Sequence, residues 1–239
     1  MTLTGGTGPV VLVLAKAPEP GRVKTRLCPP LTPDQAADLA AAALLDSIAA
    51  AAAVPGAQPV VVLTGLLERA ARRAEIGAVL RAMAVISQRG DGLGERIAAA
   101  HRDADAAQPG RRTLQIGMDT PQVDAALLRA ADDALTAPGV DAVLGPAVDG
   151  GWWALGLRNP LDAALIADVP TSRDDTGRLT LAALRAGGLR VHLLPELSDV
   201  DTAADAAAVA AAAPRSRFAA AVASLPMGTL ERHRAERRA

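Results

Sequence analysis

Aromatic residues are almost missing from this 239-residue chain: Trp152, Trp153 and Phe218 are all it has, and there is no tyrosine. That argues against the stacked aromatic platform on which single-stranded nucleic acids are bound. It also leaves the core to Ala, Val, Leu and Ile. A single cysteine, Cys28, excludes an intrachain disulfide and a cysteine zinc cluster. An excess of either charge is lacking too: the net formal charge is −1, which gives no global field for nucleic acid or an anionic membrane. The three histidines, His101, His192 and His233, are far apart, and no Ser-His-Asp order is evident. The first apolar run, residues 10–15, has no basic segment before it and is too short for a signal or a membrane span. The expectation is a cytoplasmic protein that uses neither nucleic acid nor membrane as a partner.

What is present is apolar and rich in alanine. Half of the residues are hydrophobic, enough for a large core, and the length suits one α/β domain or one domain with a tail. Short apolar runs at 10–15, 59–63, 84–87, 113–117, 141–144, 152–157 and 190–194 read as strands. Between them, helical patterns cover 33–53, 66–81, 93–107, 124–135, 161–166, 179–185 and 203–212. Strands alternating with helices imply a mostly parallel central sheet with helices on both faces, a three-layer α/β fold. Gly5, Gly6 and Gly8 precede the first strand, whereas a dinucleotide fingerprint follows one. The domain is expected to span 1–213. Residues 214–239 carry six arginines partly offset by Glu231 and Glu236, and read as a basic tail or a packed helix. As a solvated tail, the segment would be dispensable for folding.

One carboxylate and four groups of residues can do chemistry. In Leu114-Gln115-Ile116-Gly117-Met118-Asp119-Thr120-Pro121, a buried strand ends in a turn and places one carboxylate at its carboxyl edge. Ligands bind at that edge in open α/β sheets, and a carboxylate there can hold Mg²⁺ or Mn²⁺ against a phosphate. Asp119 reads equally as the start of a turn or the cap of the next helix. The loop after the first strand carries Lys16, Arg22, Lys24 and Arg26 around Pro18, Pro20 and Gly21. Arg forks onto phosphate oxygens and Lys supplies a point charge, so the loop suits a phosphate. It lacks the Walker order. In Asp149-Gly150-Gly151-Trp152-Trp153, the glycines let backbone approach a ligand or form a tight turn, and one Trp of the pair can wall a ligand. Asp199 and Asp201 lie on one side of an extended segment and could complete a metal site with Asp119. Asp201 or Thr202 is equally an N-cap for the helix that follows. Glu95 and Arg96, after Gly92, form a weaker fourth group.

Taken together, these motifs resemble one family. Ala15-Lys16-Ala17-Pro18-x-Pro20-Gly21-x-x-Lys24-Thr25-Arg26-Leu27 is similar to the opening of a bacterial family of glycosyltransferase-like proteins. That family is sometimes labelled radical-SAM/selenodomain-associated transferase, within the nucleotide-diphospho-sugar transferase superfamily. Gly92-x-Gly94-Glu95-Arg96, Gly117-x-Asp119-x-Pro121, Gly145-Pro146-x-x-Asp149-Gly150-Gly151 and Asp199-Val200-Asp201-Thr202 follow in the family's order, over roughly residues 10–212. Here Val169 to Thr176 lacks the family's aromatic and Ser-Thr pair. The Lys-Thr-Arg-Leu and Asp-x-Asp-Thr pieces also resemble, more distantly, the phospholactate guanylyltransferase group.

The resemblance implies a Rossmann-like GT-A fold, a nucleotide site at the basic loop and a metal at Asp119. The leading expectation is therefore a metal-dependent transferase with a nucleotide-sugar donor and a small-molecule acceptor. Asp119 and Asp149 would be catalytic; Lys16, Arg22, Lys24, Arg26, Glu95 and Arg96 would hold nucleotide phosphate. Gly150, Gly151 and Trp152 would bind substrate, and Asp119, Asp199 and Asp201 would ligate Mg²⁺ or Mn²⁺. The alternatives are a nucleotidylyltransferase joining an NTP to a phosphorylated small molecule and a non-catalytic nucleotide-sugar-binding module. A homodimer is open.

Overall fold

The computed structural model describes residues 8–226 and 229–230. Gly5, Gly6 and everything from Glu231 onward, including His233 and the last four arginines, lie outside the described residues. Seven strands make one sheet: β1 (Val10–Lys16), β2 (Gln58–Thr64), β3 (Ala84–Ser87), β4 (Thr113–Gly117), β5 (Ala142–Pro146), β6 (Trp152–Leu157) and β7 (Val191–Leu193). Their order is β3-β2-β1-β4-β6-β5-β7. β6 pairs antiparallel with β4 and β5, and every other pairing is parallel. The cause is chain length. Only a short loop separates Pro146 from Trp152, enough for a hairpin but not for the crossover a parallel neighbour needs.

β1 is apolar throughout because both of its faces are covered. Val11, Val13 and Ala15 pack toward α1 (Pro33–Ala52), α2 (Arg73–Leu80) and α4 (Ala125–Thr136). Val10 and Leu12 point the other way, onto Ala100 and Ala104 of α3 (Leu93–Ala107). On that second face, Ile97 of α3 and Leu184 of α5 (Thr176–Ala186) close over β5 and β6. The result is the expected three-layer α/β fold. Two expected helices differ. The stretch 66–81 splits into a 3-10 turn, Leu67–Arg69, and α2, because Arg72 takes a left-handed φ of 49° and forks onto Asp38 at 2.7 Å. Residues Pro160–Ile166 form 3-10 rather than α structure.

α1 opens with a capping box: Thr32 Oγ1 accepts from the Gln35 amide, and Gln35 Oε1 accepts from the Thr32 amide. By length and hydropathy it could cross a bilayer, but it is mostly buried inside the domain. Its alanines serve that position. One side faces the sheet, and the other carries α6 (Ala203–Ala212) and α7 (Arg217–Ala223).

α7 corrects the reading of residues 214 onward as a solvated tail. Phe218 is 1% exposed and packs in one cluster with Leu39, Ala43, Ala206 and Val209. The Asp46 carboxylate of α1 accepts from the Arg217 and Phe218 amides at 3.0 and 2.8 Å, anchoring the helix start. Cys28 borders the same cluster, where burial pushes its thiol up from the ordinary value and makes it less reactive. Truncation after Ala213 is therefore expected to lower the melting temperature sharply. Phe218→Ala alone should cost about 3–5 kcal/mol, read by denaturant unfolding.

Between α3 and β4 lies a buried polar group. His101 Nδ1 is 2.7 Å from Thr113 Oγ1, and Nε2 is 3.3 Å from Gln115 Oε1. A carbonyl oxygen only accepts, so Nε2 carries the ring proton and Nδ1 accepts from the Thr113 hydroxyl. Burial lowers the His101 pKa to about 4 from its ordinary 6.5. With the folded value below the unfolded one, the unfolded state takes up the proton first. Stability should fall as pH drops from 6.5 toward 4, by about 3 kcal/mol from this group. Denaturant titrations of wild type and His101→Gln across that range test it, and the substitution should flatten the slope.

Candidate active site

The order of strands reverses between β1 and β4, and the loops that leave their carboxyl ends diverge there. Ligands bind at such a switch point in doubly wound sheets. Lys16 ends β1, Asp119 follows β4, Asp149 lies between β5 and β6, and Asp199 and Asp201 follow β7. Two backbone contacts draw these segments together. The Val200 amide donates to the Asp119 carbonyl at 3.1 Å, and the Val148 amide donates to the Leu197 carbonyl at 3.0 Å.

Helix caps decide which acids are free for this site. Asp124 caps α4, its Oδ1 accepting from the Leu127 amide at 2.8 Å, so Asp119 does not. Thr202 caps α6, in a capping box with Asp205. Neither Asp199 nor Asp201 serves as the N-cap, contrary to the reading that left Asp201 as a candidate. Asp149, Asp199 and Asp201 each bring a carboxylate oxygen within 4.8 Å of the others. The expected trio had Asp119 in place of Asp149. Asp119 is held instead by Lys24, whose Nζ lies 2.8 Å from Asp119 Oδ1 and 3.6 Å from Asp201 Oδ1.

Lys24 reaches that position through its backbone. At φ 47° and ψ 38° it is left-handed, an uncommon state for a residue with a side chain, and it starts a 3-10 turn at Thr25–Leu27. The Lys24 side chain is only 10% exposed, whereas Arg26 is 74% exposed and pairs with Asp201 Oδ2 at 2.7 Å. The expected extended loop is thus a turn, yet both cations still converge on Asp201. Burial pulls the Lys24 pKa down, but Asp119, Asp201 and Asp199 outweigh it and raise it overall. Asp199 shows the opposite strain. Burial, with the charges of Asp201 and Asp149, pushes its pKa up to about 6.

Three adjoining cavities surround the carboxylates. One, of about 260 Å³, is walled by Lys16, Arg22, Lys24, Arg26, Asp119 and Asp201. A second, of about 420 Å³, lies between Arg26, Asp149, Arg173 and Asp201. The third, of about 280 Å³, is mostly apolar and reaches Asp119, Asp149 and Asp199 at its rim. Hard carboxylate oxygens at this spacing fit Mg²⁺ or Mn²⁺, and among the described residues no nitrogen or sulfur ligand joins them.

The other expected residues are placed as follows. The Lys16 ammonium donates to the Arg22 carbonyl at 2.9 Å, bracing the basic loop. Glu95 Oε2 accepts from the Asp91 and Gly92 amides, and Arg96 donates to the Gly90 and Asp91 carbonyls. Both therefore shape the loop before α3, and neither walls the three cavities. Gly150, at φ 87°, lies so close to the Asp174 backbone that a Cβ would sit 1.8 Å from its carbonyl oxygen. The close approach there is by the chain's own 174–177 segment, whose Gly177 amide donates to the Gly150 carbonyl. Gly151 donates to Asp149 Oδ1 at 2.8 Å and fixes that carboxylate. Trp152 and Trp153 belong to clusters on opposite faces, as a strand requires, but both reach the third cavity. Sequence reasoning missed Gln115, Leu93, Ile97 and Arg173 as cavity residues. One signal was available: Gln115 is a polar residue inside an apolar strand.

Comparison with known proteins agrees with the fold. A family model described as "Uncharacterized protein conserved in bacteria (DUF2064)" matches residues 47–173, more than half of the chain. The chain belongs to this family. No curated protein matches it. Among solved structures, it is similar to a putative nucleotide-diphospho-sugar transferase from Desulfovibrio desulfuricans G20. The identity is 26%, with 94% of this chain and 97% of that one covered and a TM-score of 0.82. Two more distant likenesses show the fold alone. CMP:2-keto-3-deoxy-manno-octonic acid synthetase, complexed with CTP, is 12% identical over 87% of this chain and 99% of that one, with a TM-score of 0.52. 4-Diphosphocytidyl-2C-methyl-D-erythritol synthase is 13% identical over 85% and 96%, with a TM-score of 0.51.

The buried and exposed cations should behave differently when removed. Lys24→Met strips the neutralising charge from Asp119 and Asp201 and should lower the ligand-free melting temperature by several degrees. Arg26→Ala removes an exposed pair and should change it by about a degree or less. Thermal melts of the two variants without ligand decide the point.

Proposed function

We propose that the protein is a metal-dependent transferase that uses a nucleotide-activated donor, with a nucleotide sugar as the donor class. One observation carries the reading: a cationic cavity and an apolar cavity meet at a single carboxylate cluster on the switch-point edge. A donor diphosphate fits the cationic side, its attached group the apolar side, and a divalent ion the carboxylates between. Likeness to a putative nucleotide-diphospho-sugar transferase at 26% identity over nearly the whole of both chains supports it. The order of motifs, similar to the radical-SAM/selenodomain-associated type, supports it further. A cytoplasmic setting belongs to the same reading.

In this reading Lys16, Arg22, Lys24 and Arg26 grip the diphosphate, and the Glu95–Arg96 pair keeps the loop before α3 in shape. Asp199 and Asp201 hold Mg²⁺ or Mn²⁺ beside Asp149, and Asp119 positions Lys24. Bound there, the ion would neutralise charge that develops on the leaving nucleotide. Asp149 is oriented by Gly151 through Oδ1, which leaves Oδ2 to take the proton from an acceptor hydroxyl. The acceptor oxygen then bonds to the sugar carbon as the bond from that carbon to the diphosphate breaks.

The runner-up is nucleotidyl transfer from an NTP to a phosphorylated small molecule, of the phospholactate guanylyltransferase kind. The four cations of the first loop favour it. Incubation with NTPs or nucleotide sugars, each with Mg²⁺ or Mn²⁺, followed by product analysis, separates the readings. Glycosyl transfer that falls ~10²-fold or more in Asp201→Asn is the expected result. Pyrophosphate release from an NTP would establish the runner-up instead, and binding without turnover would leave a nucleotide-sugar-binding module.

A further inference from the structure

The third cavity has its own chemistry. Leu14, Leu93, Ile97, Trp152 and Trp153 supply its large apolar groups, and polar side chains such as Thr120, Ser172 and Arg173 also line it. The indole N–H groups of both tryptophans are already used, Trp152 by Thr180 Oγ1 at 3.1 Å and Trp153 by the Pro195 carbonyl at 3.0 Å. The rings are therefore left to face the cavity with carbon. One residue on the floor is different. Gln115, on β4, is 2% exposed and borders the cavity. Its Oε1 is engaged by His101, which is itself fixed by Thr113. Its amide nitrogen has no hydrogen-bond partner among the described residues, although it is not sealed away from the cavity. A donor held this firmly in an apolar wall costs free energy until something accepts from it.

Resting on the transferase reading above, we infer that this cavity takes the non-nucleotide part of the substrate. That part is a single ring that presents an oxygen acceptor to Gln115 Nε2. The volume of about 280 Å³ lies near the lower end of ligand pockets, roughly 300–1,000 Å³, and suits one ring. Polar side chains such as Thr120, Ser172 and Arg173 also border the cavity, so hydroxyls of the ring find partners there while its carbon face meets the tryptophans. The His101–Thr113 pair makes the amide a fixed donor, since Nε2–H of the ring locks Gln115 Oε1 away from the cavity. Gln115 is thus a specificity residue for the attached ring, and His101 is a positioning residue behind it.

The two tryptophans of the chain both border this cavity, so intrinsic fluorescence reads its occupancy directly. The probes are methyl β-glucoside, methyl 6-deoxy-β-glucoside, and UDP, GDP, CDP and dTDP with and without attached glucose, the nucleotides with Mn²⁺. Nucleotide binding is followed separately by calorimetry. Both glycosides should shift the emission. Gln115→Met should weaken glycoside binding roughly tenfold and leave the bare diphosphates unchanged. Should Gln115→Met fold poorly, Leu93→Phe at the half-exposed mouth should block the same titration.

Diphosphates that bind while tryptophan emission ignores every sugar would overturn the cavity assignment and leave the transferase reading standing. Equal glycoside affinity in wild type and Gln115→Met would overturn it as well. Glycosides that bind through Gln115 while no diphosphate binds would keep the cavity and remove the nucleotide. If the sugar registers only when attached to a diphosphate, the ring belongs to the donor; if free glycoside registers equally, it belongs to the acceptor.

Discussion

The arrangement at the sheet edge depends on Lys24. Four carboxylates from three separate loops, Asp119, Asp149, Asp199 and Asp201, are drawn into one small region by the strand order and by backbone contacts such as Val200 to Asp119. Like charges at that range repel, and the repulsion grows as water is excluded. A buried ammonium between Asp119 and Asp201 offsets it. The chain accepts a left-handed backbone at Lys24, a conformation that costs on the order of 1–2 kcal/mol, to place that charge. Even so, the Asp199 carboxyl remains harder to ionise than usual. Burial is the main cause, with Asp201 and Asp149 adding to it, and in the proposed reading a divalent ion would offset that cost.

The fold divides the labour around this cluster. The β1 loop supplies cations, the β5–β6 turn and the loop after β7 supply acids, and α3 with β4 and β6 supplies an apolar wall. The glycines at 150 and 177 let the 170–177 segment press against the β5–β6 turn. That contact holds Asp149 and Arg173 at the junction of two cavities. The α6–α7 layer lies on the outer side of α1, the helix that follows the basic loop, and braces it from outside.

Much of this was legible in the sequence, and the misses have physical reasons. The strands were readable because a strand buried on both faces is a short apolar run, as in Val10 to Ala15. The acids after β4 and β7 were readable because a carboxylate at a strand's carboxyl edge has few structural duties there. The Lys24 turn was not: nothing in Gly21-Arg22-Val23-Lys24 announces a left-handed lysine. The substitution of Asp149 for Asp119 in the acidic trio follows from that miss, since Lys24 occupies Asp119. For residues 214 onward the choice between tail and packed helix stayed open because the basic composition suggested solvent, whereas the position of α7 is set by Phe218 and by two amide bonds to Asp46, a partner far away in sequence. Gln115 was passed over as part of a strand because its significance lies in what His101 does to its orientation, and that is a tertiary fact.

The account's central claim is that one carboxylate cluster beside the basic loop gathers both a divalent ion and a nucleotide diphosphate. A crystal soaked with Mn²⁺ and a nucleoside diphosphate, measured at a wavelength where manganese scatters anomalously, tests it most directly. The account predicts one anomalous peak among Asp149, Asp199 and Asp201, with phosphate oxygens toward Lys24 and Arg26. A diphosphate bound elsewhere, or manganese absent from these carboxylates when the diphosphate is present, would contradict it.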